Sequence, residues 1–292
     1  MNNYGMKVSQ DGYDIGTCSD FNLVFSSKYD ILKIAQTGTG SFVTGGTATI
    51  SHSLGYSPSY LLYLSNDGTQ YSLYHGTGVG GLSKINGTNL IINKPLGTTI
   101  DYYYPNGTND YGRENSVGYV AGYTKVGFDA GFGSSTKGAF RFPSVSDTSS
   151  VTKAELGFYI WDRTGTTVQV VTYGIDEDDT ADFSSSPFGR TKTTNSVTNS
   201  CDAGISIGDH WVYDVTDIYQ EITSRAGWTS GNAMGFMLED NGNSGTTYII
   251  DDSLFDGQNN SYLKITKTGT ASTIYYKYVI FYNKLDGTRT FG

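Results

Sequence analysis

Residues 211–239, WVYDVTDIYQEITSRAGWTSGNAMGFMLE, are the one place where this chain changes its hydrophobic period. Val215, Ile218, Tyr219 and Ile222 fall at i, i+3, i+4 and i+7, the spacing that lines up apolar side chains on one face of an α-helix. Almost everything else alternates or is broken by glycine, so the reading is one short amphipathic helix in a β protein. Asp214, Thr216 or Asp217 can each supply an N-cap oxygen, and Asp217 stands three residues before Gln220, in the manner of a capping box. Gly227 suits the left-handed position that ends a helix. Beyond it, Trp228 can fold back on the helix, and residues 232–238 have the apolar, small-residue character of a buried strand.

Composition extends this reading to the rest of the chain. Its 292 residues suffice for one or two cores of ordinary domain size. The 38 glycines and 24 tyrosines, with abundant Ser, Thr and Asn, describe short strands joined by tight turns, because glycine supplies positive φ and tyrosine suits a half-buried pleat. A formal net charge of −9 argues against nucleic acid as a partner, since phosphate binding draws on Lys and Arg. Scattered acidity serves solubility instead. Cys18 and Cys201 are the only cysteines and lie far apart, so both are expected as free thiols. The start, MNNYGMKVSQDGY, lacks the charged and then apolar pattern of a secretory signal. No stretch approaches the ~20 apolar residues of a bilayer span. The expectation is a protein made in a cytoplasm without membrane insertion.

Along the chain, residues 4–34, YGMKVSQDGYDIGTCSDFNLVFSSKYDILKI, hold strand patterns at 6–8 and 23–25 around the turn signals Asp11-Gly12 and Ile15-Gly16. TGTGSFVTGGT at 37–47 reads as a glycine-rich break. In ATISHSLGYSPSYLLYL, 48–64, a strand ends at Thr49-Ile50, a turn follows at 54–58, and 60–64 make a buried strand that Pro58 cannot join. Further strands are read at 70–74, 89–93 and 99–104, and TIYYKYVIFYNKL at 273–285 is a strong strand pattern. An exposed edge of that kind invites pairing, so a neighbouring strand or subunit is expected to cover it. No fixed-period repeat supports a propeller, a solenoid or a fibre shaft.

Five segments in order, FRFPSV at 140–145, AELGFYIW at 154–161, GIDEDDTADF at 174–183, the helix-containing unit at 213–240 and YLKIT at 262–266, resemble the DNRLRE family. That family is a β-sandwich module of cell-surface and secreted bacterial proteins and of phage proteins. The resemblance covers residues 111–267, about half the chain, with Arg190 and Thr191 standing where members carry characteristic polar residues. It implies a jelly-roll-like sandwich used for carbohydrate or surface binding rather than catalysis, with Trp161 and Trp228 in its core. The segments YGMKVS, GYDI and FSSKYDILKI, and then 48–64, resemble the N-terminal region of tailed-phage and prophage virion proteins. That resemblance implies a structural or tail-associated protein, attached to other virion proteins through its N-terminal module and homo-oligomeric, as a trimer. An edge hairpin without an attachment role is the other reading of these first residues.

The expected fold class is all-β with two modules, a small β-sandwich and a larger jelly-roll-like one with one short helix. Residues 1–34 form the attachment segment, 35–110 with 268–292 the small sandwich, and 111–267 the larger one. Residues 273–285 look like the closing strand of the first module, with 97–104 near it, so 111–267 reads as an insertion into a loop; two consecutive domains with a trailing strand is the simpler arrangement.

His52, His75 and His210 are a thin supply for nucleophilic or metal chemistry, and neither a G-x-S-x-G elbow nor H-E-x-x-H occurs, so no enzyme is expected. His52 fits a strand end. The acidic run Asp176, Glu177, Asp178, Asp179 and Asp182 is the candidate metal site, since loop carboxylates can converge on calcium, the one cofactor in view. It lacks the EF-hand spacing, and a solvated loop is the alternative; Asp251-Asp252 is a second possible contributor. A sugar site needs flat aromatic faces with amides and carboxylates around them. Trp211, Tyr119, Tyr123 and Tyr248 are the candidates. The sum is a structural virion protein, in a tail fibre, a baseplate-associated adhesin or a head decoration, that displays a sandwich to host-surface glycan. The alternative is a non-viral secreted or surface carbohydrate-binding module, against which the missing signal argues.

Overall fold

The computed structural model describes residues 7–9, 23–26, 33–74, 82–146, 150–242, 248–251 and 261–282. Cys18, His75, Asp252 and most of the expected attachment segment 1–34 lie outside them. The fold is all-β, with one α-helix among the described residues. It divides into two compact units, Met1–Gly97 with Thr270–Gly292, and Thr98–Gly269.

The first unit contains β1 (Lys7–Ser9), β2 (Leu23–Ser26), β3 (Lys33–Val43), β4 (Thr47–Ser51), β5 (Tyr60–Ser65), β6 (Ser72–Tyr74), β7 (Ser83–Ile85) and β8 (Asn89–Asn93). The second begins with β9 (Thr98–Tyr103), β10 (Tyr111–Asn115), β11 (Gly118–Ala121), β12 (Thr124–Asp129), β13 (Ser134–Phe142) and β14 (Val151–Tyr159). It continues with β15 (Asp162–Thr164), β16 (Val168–Ile175), β17 (Lys192–Cys201), β18 (His210–Asp214), α1 (Thr216–Thr223), β19 (Met234–Asp240), β20 (Tyr248–Asp251) and β21 (Tyr262–Thr268). The chain then returns to the first unit as β22 (Thr273–Tyr282).

In the first unit β1 pairs with β2, and two further sheets, β3-β22-β5-β6 and β4-β8-β7, enclose Ile50, Leu62, Leu90, Ile92, Ile274 and Ile280. The tyrosine-rich strand β22 is central, hydrogen bonded to β3 and β5 of its own chain, so both of its edges are covered. The stretch read as a glycine-rich break is mostly β3. Gly38 and Gly40 pair with Tyr278 and Tyr276, and a Cβ on either would come within 2.6 and 2.4 Å of those rings. These glycines therefore continue the strand by leaving room for aromatic side chains from its neighbour, where sequence suggested only a loop.

In the second unit the larger sheet runs β15-β20-β12-β13-β19-β16-β17, with β10 beside β13 and β11 beside β10; the smaller runs β18-β14-β21-β9. Between them lie Phe140, Phe142, Phe158, Trp211, Phe236, Leu238, Leu263 and Ile265. Phe140 of one sheet meets Phe158 of the other edge-to-face with ring centres 5.4 Å apart, a geometry worth about 0.5–1.5 kcal/mol beyond the area it buries. The helix α1 presents Ile218, Tyr219 and Ile222 to this core, with Val215 just before it, and all four are buried. Each contributes roughly 1.5–3 kcal/mol. It lies directly on Gly174 of β16, where a Cβ would stand 2.7 Å from both Ile218 and Ile222.

The helix ends differ from the sequence reading. Val215 occupies the N-cap position without a side-chain cap, and Asp214 instead accepts from the backbone N–H of Thr216 at 2.8 Å and from its hydroxyl at 2.6 Å. The Thr216 hydroxyl in turn accepts from the Ala154 N–H at 2.9 Å, tying the helix start to β14. At the other end the helix stops at Ser224 in a right-handed conformation. Gly227 serves close approach rather than left-handed termination, since its Cβ would lie 2.1 Å from the Asp178 carboxylate. Trp228 is buried against the core, whereas Trp161, expected there, is 44% exposed just past the end of β14.

The strand read near the C-terminal strand belongs elsewhere. Residues of β9 pair with β21 from Thr98↔Thr268 to Leu263↔Tyr103, so the second unit begins at Thr98 rather than at 111 and its first and last strands are neighbours. Within the first unit, Gly45 N–H donates to Lys94 O and Thr44 N–H to Ser272 O, so the two stumps meet at one turn. A unit whose ends lie side by side carries its own closure. Residues 98–269 expressed alone should therefore unfold cooperatively with a native-like near-ultraviolet spectrum; a chain that lacks tertiary signal would contradict this division.

Candidate functional site

The smaller sheet of the second unit buries one face and leaves the other to solvent, so alternate residues of each strand belong to opposite environments. On β9, Tyr103 packs against the core, while Tyr102 and the following Tyr104 are 47% and 46% exposed on the opposite face. On β21, Leu263 is buried and Tyr262 is half-buried. On β14, Phe158 and Leu156 point inward, while Gly157 pairs with Tyr262 and Tyr159 pairs with His210 of β18.

The rings form a continuous platform. Tyr102 and Tyr104 are nearly parallel, with centres 6.4 Å apart, and both stand edge-on to Tyr262 at 5.2 and 6.4 Å. His210 lies 4.9 Å from Tyr262 on its other side, and Tyr159 lies 5.3 Å from His210. Gly157 makes this possible. A Cβ there would come 2.4 Å from the Tyr262 ring, so the ring lies across the glycine as a floor, with Tyr102 and Tyr104 as a wall. Beside the rings, Glu155 accepts from Lys153 at 2.6 Å and from Lys264 at 2.8 Å. Burial raises the Glu155 pKa, but those two lysine hydrogen bonds outweigh it and hold the carboxyl below its usual range. Burial, with the neighbouring Tyr102, pushes the Tyr262 hydroxyl up. Flat apolar ring faces flanked by charged donors and an acceptor are what a pyranose needs: C–H groups meet the rings, and hydroxyls meet the polar heads.

The sequence candidates fare differently. Trp211 is 3% exposed between Phe158 and Tyr213, a core residue with no face for a ligand. Tyr119 crosses to the far face of the larger sheet, where it donates to Phe183 O at 2.8 Å and packs beside Ala139, Ile175 and Met237. Tyr123 and Tyr248 come to one neighbourhood, each with a cation over its ring: Arg113 at 4.6 Å and Lys125 at 3.5 Å from the respective ring centres. Tyr102, Tyr104, Tyr262 and His210 were missed; Tyr159, at the end of the row, is 7% exposed and offers no face to a ligand. The signal for the three tyrosines at 102, 104 and 262 is the alternation of 100–104 against 262–266, which becomes a face only once the two strands pair.

The acidic run is a structural clamp. Asp176 and Asp178 both bind the Arg225 guanidinium, the second at 2.7 Å. Asp179 accepts from the Ala233 N–H at 2.7 Å and Asp182 from the Ser184 N–H at 3.2 Å, while Arg190 binds Glu177 at 3.3 Å and the Asp182 carbonyl at 2.8 Å. The five carboxylates are thus taken up by Arg225, Arg190 and backbone N–H groups, and among the described residues no three His, Cys, Asp or Glu side chains are grouped to hold a metal ion. His52 is buried at the end of β4, and Cys201 is a buried free thiol whose pKa desolvation pushes up to about 11.

No family model matches this chain, and no curated protein matches it. Among solved structures it aligns with a carbohydrate-binding module from a study of promiscuous specificity in the β-sandwich superfamily, at TM-score 0.18 and 8% identity, over 84% of this chain and 98% of that one. It also aligns with the VP2 subviral particle of infectious bursal disease virus, at TM-score 0.14 and 9% identity, over 90% and 84% of the two chains. Likenesses this distant carry no argument about fold or function.

Two outcomes follow from the geometry. Replacing Gly157 by Val forces the Tyr262 ring off the sheet and should cost about 1–3 kcal/mol, read as a lower urea midpoint; an unchanged midpoint would show that the ring does not lie there. Glu155 and Glu239, which Lys192 and Lys137 hold ionised against its burial, have folded pKa values below the usual one. Their contribution is complete above about pH 4.3, the ordinary glutamate value, and is lost as pH falls through the lower folded values. Chemical denaturation should therefore show stability falling below about pH 4, with a shallower fall in Glu155→Gln.

Proposed function

We propose that this chain is a structural protein of a phage virion, in a tail fibre, a baseplate-associated adhesin or a head decoration. Its second unit serves as a glycan-binding sandwich, and the first joins it to other virion proteins. The observation that carries the binding role is the exposed aromatic platform: Tyr262 laid over Gly157 with Tyr102 and Tyr104 standing against it. The N-terminal and central resemblances support the virion setting.

A pyranose over Tyr262 gains ring contact on its apolar face, accepts a hydrogen bond from Lys264 and donates a hydroxyl to Glu155, without any bond being broken. The test is binding of fluorescently labelled protein to a panel of bacterial cells, with and without each strain's own surface polysaccharide. Saturable binding to one host, competed by that polysaccharide and weakened at least about tenfold in Tyr262→Ala, is the expected result. Binding that is indifferent to both polysaccharide and substitution would overturn the reading.

A further inference from the structure

A second cluster on the same unit has a different chemistry. On β10, Tyr111 is buried in the core, and the same row of alternate residues continues as Arg113 and Asn115. The Arg113 guanidinium is held between Tyr123 and Phe132, 4.6 and 5.6 Å from their ring centres. Its Nε is buried and has no hydrogen-bond partner among the described residues. The same is true of Asn115 Nδ2. The amide cannot simply turn to repair this, because its Oδ1 already accepts from the Val117 N–H at 2.9 Å. Two orphaned groups, both donors and two residues apart on one face of one strand, ask for an acceptor.

Charge says what kind of acceptor. Lys125 is buried and paired with Asp129, beneath the rings of Tyr248 and Phe132 at 3.5 and 5.9 Å. The other oxygen of Asp129 accepts from the Gly131 N–H at 2.9 Å. Among the described residues Arg113 and Lys125 thus face one carboxylate, Asp129, which is already engaged on both oxygens, so one positive charge there is left without a carboxylate of its own. A water molecule would satisfy the donors but not that charge; a carboxylate satisfies both. Phe132, 42% exposed, adds an apolar wall beside the guanidinium.

We infer that Arg113 and Asn115 form a second binding site, which takes a carboxylate carried on a sugar ring, as in the uronic acid units of an acidic polysaccharide. Arg113 and Asn115 donate to the carboxylate, and Phe132 takes the ring's apolar side. The inference rests on its own residues and stands or falls apart from the tyrosine platform.

The test is isothermal titration of the full chain with D-glucuronate, alongside D-glucose, acetate and sulfate. Glucuronate should bind at least about tenfold more tightly than any of the other three, and its affinity should fall as NaCl is raised. Arg113→Gln should weaken it by about tenfold or more, while Lys84→Gln, which removes an exposed charge in the first unit, leaves it unchanged. Asn115→Ala gives the same readout should Arg113→Gln fail to fold. Equal affinity for acetate or sulfate would reduce the site to unspecific anion binding, and equal affinity for glucose would remove the role of the charge. Absence of glucuronate binding, or binding that survives both substitutions, would overturn the proposal.

Discussion

The ladder between β9 and β21 is the pairing on which the second unit and its candidate site both depend. It joins the first strand of that unit to its last, from Thr98↔Thr268 to Leu263↔Tyr103. The unit closes on itself there, with the chain entering and leaving at adjacent positions. The same ladder sets the side-chain register. Because facing residues share a side of the sheet, Tyr103 and Leu263 go inward together, and Tyr102 comes out beside Tyr262. A slip by one residue would bury the exposed tyrosines and turn the core residues to water.

What could be read in the sequence was local. The 3.6-residue period of Val215, Ile218, Tyr219 and Ile222 gave the helix, because burial along one face leaves that trace whatever the helix rests on. Strand positions such as 89–93, which match β8, were legible for the same reason. Apart from the helix N-cap, held by Val215, the failures are long-range. Gly38 and Gly40 read as a break because nothing nearby says that Tyr278 and Tyr276, far along the chain, will occupy the space they leave. Gly227 read as a helix terminator, yet what fixes it is the carboxylate of Asp178.

The candidate site shows the same limit more sharply. Trp211 was a candidate for a ligand face, but Phe158 from the paired strand covers it. Tyr262 looked like part of a closing strand, and its use as a floor depends on Gly157 being opposite it. Of the aromatic candidates, Tyr123 and Tyr248 fall in one neighbourhood, through Arg113, Lys125 and Phe132 rather than through each other. The acidic run was visible as a charge cluster, but its partners, Arg225 and Arg190, come from outside it and divide the carboxylates among separate tasks. In a β chain rich in Tyr and Gly, composition announces platforms and contacts without saying which ring meets which gap.

The central claim is that the paired β9 and β21 present a sugar-binding face with Tyr262 as its floor. Its most direct test is a crystal structure of this chain with an oligosaccharide released from the polysaccharide that competes for cell binding. The account predicts a pyranose ring lying over Tyr262 and bordered by Tyr102 and Tyr104, with a hydroxyl within hydrogen-bond reach of Lys264 or Glu155. Oligosaccharide bound elsewhere on the chain, with the Tyr262 face bare, would contradict it.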